Sequence, residues 1–231
     1  MYLGLDFGTS GARACVLDSS NSIVHEDQIY YPDTTEQTPE DWRIALHTLL
    51  RQLPSPVAAH LQRIAIDATS SSVLLCDAAL HPLSPALLYH DTRAYAEAAE
   101  LGKLAPVGHA VCSATSGLAK FLWLTRHCEL ENAAYFMHQA DWLSALLTGS
   151  GGNSDYHNAL KSGYDAGKLC WPEWAMHLPH SRLLPHVLAP RHLPAEIHPA
   201  LAKHFRISPV CTIHAGTTDS IAAFIAADVH Q

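Results

Sequence analysis

The sequence predicts an α/β protein with a mixed sheet flanked by helices, and three observations support this fold class. Short apolar segments near the N-terminus are separated by turn-forming residues, which favours antiparallel strands. A helical pattern then precedes a further segment rich in β-branched residues, so that segment is expected to join the sheet in parallel. The 231 residues are 48% hydrophobic and 16% charged, which excludes intrinsic disorder and allows a sizeable core.

The predicted strands and the first helix follow from the turn and cap residues between them. The first three strands are expected at YLGLDFG, ARACVLD and SIVHEDQIYY, with turn chemistry at the Gly-Thr-Ser-Gly and Asp-Ser-Ser-Asn-Ser segments. Thr38 and Pro39 suit the cap and first residue of a helix that ends before Pro54. RIAIDAT and SVLLCD are expected as the fourth and fifth strands, which gives a five-stranded sheet.

From about residue 90 the pattern changes to helices and loops. SGLAKFLWLTRH and QADWLSALLTG have helical periodicity. Near the C-terminus, VCTIHAG is predicted as a strand, GTTD as a tight turn and SIAAFIAA as an apolar helix. Core packing is the expected role of most of the tryptophans, which are Trp42, Trp123, Trp142, Trp171 and Trp174.

Net charge disfavours two classes of partner, and the cysteine pattern indicates the cellular compartment. With 14 Lys and Arg against 22 Asp and Glu, the net charge is -8, which disfavours binding to nucleic acid or to an anionic membrane. The six cysteines are scattered without a C-x-x-C motif, as in reduced cytoplasmic proteins. No signal peptide and no apolar segment of membrane-spanning length is expected. The oligomeric state is left open.

The segment LDFGTSGARA carries the strongest local signal for chemistry. Asp6 lies at the end of the first predicted strand, and Gly8 and Gly11 bracket the hydroxyls of Thr9 and Ser10. Such a turn can direct N–H and O–H donors at phosphoryl oxygens, and Asp6 could hold Mg²⁺ directly or through water. An ordinary hairpin turn is the alternative. No Lys follows Gly11, so the segment is not a P-loop.

A similar loop, GTTDSIAAF, lies near the C-terminus. Asp219 falls where a strand is expected to turn into a helix, after Gly216, Thr217 and Thr218. Taken alone, this position favours a helix N-cap.

Histidines are frequent in one Pro-rich segment. They lack the tight ligand spacing of a zinc site, so a solvated surface segment is favoured over a metal site. The residues concerned are His177, His180, His186, His192 and His198.

Taken together, these segments resemble the N-terminal domain of the FGGY carbohydrate kinases, which belong to the actin–hexokinase–Hsp70 superfamily. GLDFGTSGARACVLD resembles the phosphate hairpin of that family and IAIDATSSSVLLCD the strands around its sugar loop. LLYHDTRA is similar to the W-x-D-x-R segment of pentulose kinases. SDYHNALKSGYD and HAGTTDSIAAF resemble the Thr/Ser-Asp segment and the segment with the catalytic Asp. The D-ribulokinase-like subgroup, often labelled xylulose kinases, is the most similar.

The resemblance implies an RNase H-like fold and ATP-dependent phosphorylation of a pentulose, with D-ribulose ahead of D-xylulose. Asp219 would be the catalytic base, and Asp6 would orient Mg²⁺. The implied phosphate-binding residues are Gly8, Thr9, Ser10, Gly11, Gly216, Thr217 and Thr218, and the implied sugar-side residues are Thr69, Ser70, Asp91 and Asp155.

Family members carry a second RNase H-like domain that binds ATP. Residues 1–231 are therefore expected to form the sugar-binding N-terminal domain, with 211–231 resembling the start of the second domain. On this reading the chain alone is inactive. Two alternatives remain open: a non-catalytic sugar-binding domain, and an actin-like or chaperone-like ATPase of the same superfamily.

Overall fold

A computed structural model describes residues 1–33, 36–189 and 195–227. The strands are β1 (Tyr2–Phe7), β2 (Gly11–Leu17), β3 (Ile23–Tyr30), β4 (Arg63–Ala68), β5 (Val73–Cys76), β6 (Tyr135–His138), β7 (Asn153–Asp155), β8 (His186–Leu188), β9 (Ala195–Glu196), β10 (Thr212–Ile213) and β11 (Thr217–Thr218). The helices are α1 (Pro39–Gln52), α2 (Ser55–Ala59), α3 (Tyr95–Leu101), α4 (Gly117–His127), α5 (Gln139–Thr148), α6 (Tyr156–Lys161), α7 (Glu173–Met176), α8 (Pro199–Phe205) and α9 (Asp219–Ala226). Two 3-10 turns cover Ala110–Cys112 and Ser181–Leu183.

The main sheet is mixed, as the sequence predicts. Its strand order is β3-β2-β1-β4-β10-β9, and β11 also pairs with β4. The turns after β1 and β2 are short, and both connections are antiparallel. Strand β4 returns after α1 and α2 and pairs in parallel with β1, because a crossover through helices brings the chain back in the same direction. The predicted α/β class is therefore confirmed.

The fifth strand of the main sheet differs from the one expected. SVLLCD does not join that sheet, because β5 pairs with β6 in a separate two-stranded sheet. All four residues of β5 are buried: Leu74 and Cys76 face one apolar cluster, while Val73 and Leu75 face another. A strand buried on both faces lies between two cores. The place beside β4 is taken by β10 and β11.

Two apolar clusters hold the chain together. The first lies between the main sheet and helices α1, α5 and α8, and the second surrounds β5, α3 and α4. Trp42 and Trp142 meet edge to face in the first cluster, with ring centroids 6.2 Å apart. These two tryptophans are buried as expected, whereas the other three are only partly buried.

The His-rich segment lies largely at the surface. His177, His180, His186 and His198 are exposed, and His198 caps α8 by accepting a hydrogen bond from the N–H of Ala200. His192 lies outside the described residues. All six cysteines are free thiols.

Over residues 1–33, 36–189 and 195–227, each helix is too short or too polar to cross a membrane.

Candidate active site

Three carboxylates lie together where strands β1, β4 and β11 end. Asp6 and Asp67 occupy the same rung of the parallel β1–β4 ladder. Thr217 of β11 pairs with Asp67 on the other side of β4. Asp219 follows Thr217 by two residues. Burial raises the pKa of Asp67 to about 7, and the negative charges of Asp6 and Asp219 add to this effect. The strand pairing and this charge interaction together place the three carboxylates near one another.

Asp67 is a member of the site that sequence analysis did not single out. The signal was present in the sequence, since LDF and IDA each place an Asp one residue before the end of a strand. Once β1 and β4 are recognised as parallel neighbours, both carboxylates must project from the same face. That face also carries an open cleft of about 560 Å³, which is lined by Asp6, Asp67 and Arg13 among others.

Asp219 presents an exposed carboxylate at the first residue of α9. The hypothesis that Asp219 is the helix N-cap is wrong, because the cap position is Thr218. The Oδ1 atom of Asp219 accepts a hydrogen bond of 2.8 Å from the N–H of Ser220. A carboxylate in the first turn is also favoured by the helix dipole. The carboxylate of Asp219 is therefore accessible from solvent.

The turn between β1 and β2 exposes the hydroxyls of Thr9 and Ser10 beside this site. The carbonyl of Thr9 accepts a hydrogen bond of 2.6 Å from Gln37 Nε2. Gln37 in turn accepts a bond of 2.9 Å from the indole N–H of the buried Trp42. The turn is thus tied to the first core through two successive side chains.

The two glycines of this turn have different roles. A Cβ on Gly11 would lie 1.9 Å from the carbonyl oxygen of Ile29, whereas a Cβ on Gly8 would come no closer than 3.8 Å to Gly11 O. Neither glycine has a positive φ. Close approach of β3, rather than a special turn conformation, therefore requires glycine at position 11.

The second loop is pressed against the sheet in a similar way. A Cβ on Gly216 would lie 2.1 Å from the carbonyl oxygen of Ile66. Thr217 and Thr218 form β11 rather than the tight turn that the sequence predicts. The hydroxyl of Thr218, which is 1% exposed, lies 3.3 Å from Ser220 Oγ. Close contact with β4 fixes the backbone that leads to Asp219.

The predicted sugar loop after β4 is a network of internal hydrogen bonds. Thr69 is buried, and its Oγ1 lies 2.7 Å from Ser72 Oγ and 2.8 Å from Gln139 Oε1. Ser72 Oγ accepts a bond of 3.0 Å from the N–H of Tyr89. Ser70 is half-buried at the tip of the loop. Ser70 is therefore better exposed to a sugar than Thr69 is.

Lys120 ties this loop to the segment that carries Asp91. Its side chain is fully buried, and Nζ donates to the carbonyls of Ser71 at 2.8 Å, Leu88 at 2.6 Å and Tyr89 at 3.2 Å. Burial lowers the pKa of Lys120 to about 8. Sequence analysis missed this residue, although a single Lys within the apolar helix GLAKFLWL was a visible signal.

Asp91 is held by Arg93. The Arg93 Nε atom donates to both carboxylate oxygens, at 3.0 and 2.9 Å. Partial burial acts to raise the pKa of Asp91, but the hydrogen bonds and charge of Arg93 outweigh it and lower the pKa. Arg93 also lies over the ring of Trp123, 5.0 Å from its centroid. Asp91 is thus ionised and fixed in orientation by Arg93, and Lys120 ties its segment to the loop that carries Ser70.

Asp155 is buried at the wall of a small cavity that Asp141 and Gly216 also line. It is 1% exposed, and it accepts hydrogen bonds from the N–H groups of His157 and Asn158 at the start of α6. Its second oxygen accepts from Asn158 Nδ2 at 2.6 Å. These bonds hold the carboxylate at the start of α6, and its contact with sugar stays a prediction.

The carboxylates fit an ion held through water. Among the residues that the structure describes, no three His, Cys, Asp or Glu side chains are arranged to ligate a metal ion. Magnesium prefers oxygen ligands and keeps several of its waters. Asp6, with Asp67 beside it, offers oxygen acceptors of this kind.

Replacing Asp67 by Asn should change how stability depends on pH. Because the pKa of Asp67 is raised to about 7 in the folded state, the folded chain binds more protons than the unfolded chain between about pH 4 and 7. The contribution of Asp67 to stability is therefore lost as pH rises through that range. We expect Asp67→Asn to be about 1–3 kcal/mol more stable than the wild type at pH 8, after allowance for solvent screening.

Urea unfolding at a series of pH values measures this difference. The two proteins should converge near pH 4, where both side chains are neutral. A constant difference from pH 4 to 8 would contradict the shared carboxylate site.

Comparison with known proteins identifies the family. The family model for "FGGY family of carbohydrate kinases, N-terminal domain" matches residues 1–226. The chain therefore belongs to the FGGY family of carbohydrate kinases. The resemblance that the sequence motifs indicate is confirmed, including its similarity to xylulose kinases.

Individual relatives agree with the family assignment. A xylulose kinase from Lactococcus lactis is 26% identical over 243 aligned positions, which cover 96% of this chain and 48% of the relative. A crystal structure of a "xyloylose kinase" from Brucella ovis has a TM-score of 0.79 at 25% identity and covers 96% of this chain and 49% of its own.

A glycerol kinase from Plasmodium falciparum, solved with ADP, has the same fold at 18% identity, with a TM-score of 0.83 over 97% of this chain and 50% of its own. The chain spans about half the length of these relatives.

Proposed function

We propose that this chain contributes the sugar-side domain of a kinase that transfers the γ-phosphoryl group of ATP to a pentulose. The carboxylates Asp6, Asp67 and Asp219 beside the exposed Thr9–Ser10 turn are the observation that carries the proposal. Family membership supports it independently. Most of the ATP site would come from the half that the relatives have in addition, with 211–231 leading into it, so we propose that the chain alone is inactive.

The proposed chemistry needs a base and a set of hydrogen-bond donors for the transferred phosphoryl group. The terminal hydroxyl of the sugar attacks the γ-phosphorus, its proton passes to Asp219, and the bond to the β-phosphate oxygen breaks to release ADP. Because the transition state of phosphoryl transfer is loose, positioning and charge neutralisation dominate. Magnesium, when bound, supplies that neutralisation. The chain itself contributes Asp6 to orient the ion and the Thr9–Ser10 turn to donate hydrogen bonds.

Gly216 and the residues of β11 carry the second loop of the proposed phosphate site. The sugar would lie between Asp219 and the side of the site formed by Ser70 and Asp91. Asp91 is ionised and held by Arg93, so it can accept hydrogen bonds from sugar hydroxyls. Ser70 can donate or accept as each hydroxyl requires. A site that pairs with several hydroxyls rejects an analogue that leaves its polar groups unpaired.

The substrate is tested with a panel of D-ribulose, D-xylulose, L-ribulose and glycerol, phosphorylated by a full-length protein that contains this chain. We expect the two D-pentuloses to exceed glycerol in kcat/KM by at least about 100-fold, because glycerol is too short to contact Ser70 and Asp219 together. The subgroup motifs favour D-ribulose, whereas several relatives are named xylulose kinases. Glycerol as the best substrate would overturn the pentulose proposal, and D-xylulose ahead of D-ribulose would overturn only the order.

A cytoplasmic location is part of the proposal. It is supported by the six free cysteines, because thiols stay reduced in that compartment.

A further inference from the structure

The first turn of α6 contacts the backbone that leads to Asp219. Asp155 ends β7 and caps this helix with hydrogen bonds of 2.8 and 3.2 Å from the N–H groups of His157 and Asn158. Its side chain is completely shielded from solvent. The cap therefore fixes the positions of the next two side chains, which point toward β11.

Asn158 bridges the cap and the loop. It is 1% exposed, and its Nδ2 atom donates to Asp155 Oδ2 at 2.6 Å and to the carbonyl of Thr217 at 3.3 Å. A carboxylate and a carbonyl can only accept, so both contacts require the amide nitrogen and fix the orientation of the amide. Asp155 thereby determines which group Asn158 presents to Thr217.

His157 makes a second contact with the same residue. Its Nδ1 atom lies 2.8 Å from Thr217 Oγ1. Thr217 is thus held by α6 through both its carbonyl and its hydroxyl, while its backbone pairs with Asp67 of β4 on the other side. Asp219 follows two residues later.

Few other contacts hold the segment that carries Asp219. Strand β11 has only two residues, and no residue of α9 within the described part is buried. In this chain α9 lies against β4 and β11. The position of the carboxylate depends on β11, and β11 is held by β4 and by the first turn of α6.

We propose that Asp155, His157 and Asn158 are positioning residues for the carboxylate of Asp219. This inference rests on the proposed function and assigns Asp155 a role in addition to the sugar contact expected from the sequence. The hydrogen bond from Asn158 to Thr217 fixes the Asp219 loop in the geometry needed to receive a proton from the sugar hydroxyl. Misplacement of about 1 Å can cost about 100-fold in rate.

Exchanging the acceptor and donor side chains at positions 155 and 158 distinguishes a positioning role from a role in folding alone. In Asp155→Asn the backbone cap survives, but two amide nitrogens face each other. In Asn158→Asp two carboxylates face each other. The double variant D155N/N158D restores one donor opposite one acceptor, yet the carboxylate that replaces the amide of Asn158 has no N–H group to donate to the carbonyl of Thr217. The double variant therefore restores the hydrogen bond between positions 155 and 158, but it lacks the hydrogen bond to the carbonyl of Thr217.

We expect D155N/N158D to regain most of the melting temperature that either single variant loses. Its kcat in the full-length protein should remain about 10- to 100-fold below that of the wild type, with the KM for sugar changed less than about threefold. Amide hydrogen exchange at residues 217–220 should stay faster than in the wild type. The control is Asp77→Asn, which alters a remote turn where Asp77 accepts from the N–H groups of Ala79 and His81; it should leave kcat and that exchange unchanged.

Recovery of both kcat and exchange protection in the double variant would overturn the proposal, since the pair would then be only structural. Exchange is measured on the chain itself and needs no turnover. If the wild type phosphorylates no sugar, the proposed function fails, while exchange at 217–220 still decides whether α6 holds the loop.

Discussion

Replacing Asp219 by Ala in a full-length protein that contains this chain should lower kcat by about 100- to 10,000-fold, the range typical of a lost general base. The carboxylate is exposed at the start of α9 and has no role as the helix cap. Its loss should therefore act on the transition state more than on substrate binding, and the KM for sugar should rise much less than kcat falls. Steady-state kinetics with saturating ATP measure both constants.

Asp219→Asn is the matched variant for this experiment. An amide oxygen can still accept the hydrogen bond from the N–H of Ser220, but an amide cannot take up a proton. Both variants should therefore lose turnover, while their melting temperatures stay close to that of the wild type. A near-normal kcat in Asp219→Ala would show that another group accepts the proton.

A methyl group at position 11 should destabilise the chain strongly. A Cβ on Gly11 would lie 1.9 Å from the carbonyl oxygen of Ile29, a backbone atom that can move only if β2 and β3 separate. We expect Gly11→Ala to cost about 2–4 kcal/mol, which is at or above the usual cost of overpacking. In a chain of this size that corresponds to a fall in melting temperature of about 4–16 °C.

Gly8→Ala is the control in the same turn. Its Cβ would come no closer than 3.8 Å to another atom, which is ordinary van der Waals contact, so the cost should stay below about 1 kcal/mol. Calorimetry of the two variants beside the wild type makes the comparison. Equal losses would mean that glycine is needed throughout the turn and not only where β3 approaches.

The first half of the fold could be predicted because its signals are local. Turn residues set the antiparallel order of β1, β2 and β3, and the cap residues Thr38 and Pro39 mark the start of α1. The same local reasoning misplaced β5, because a short apolar segment does not reveal which sheet it joins. Only the alternation of Leu74 and Leu75 between two cores shows why it leaves the main sheet.

The candidate site was partly predictable for a similar reason. Asp6 and Asp219 lie in loops whose glycines and hydroxyls can be recognised in the sequence. Asp67 and Lys120 also have local signals in the sequence, but their roles become clear only from contacts with distant segments. Asp67 matters through the register of β4 against β1, and Lys120 through carbonyls that lie far from it in the chain.

Strand β4 and its neighbour β10 are adjacent in the sheet, yet the chain between Ala68 and Thr212 forms the whole second core. Closing so long a loop costs chain entropy before any contact repays it. Asp6 and Asp67 can therefore meet early in folding, whereas Asp219 can join them only after the intervening segment has folded. Substitutions deep in the second core would then delay or reduce the assembly of the three carboxylates without altering any residue near them.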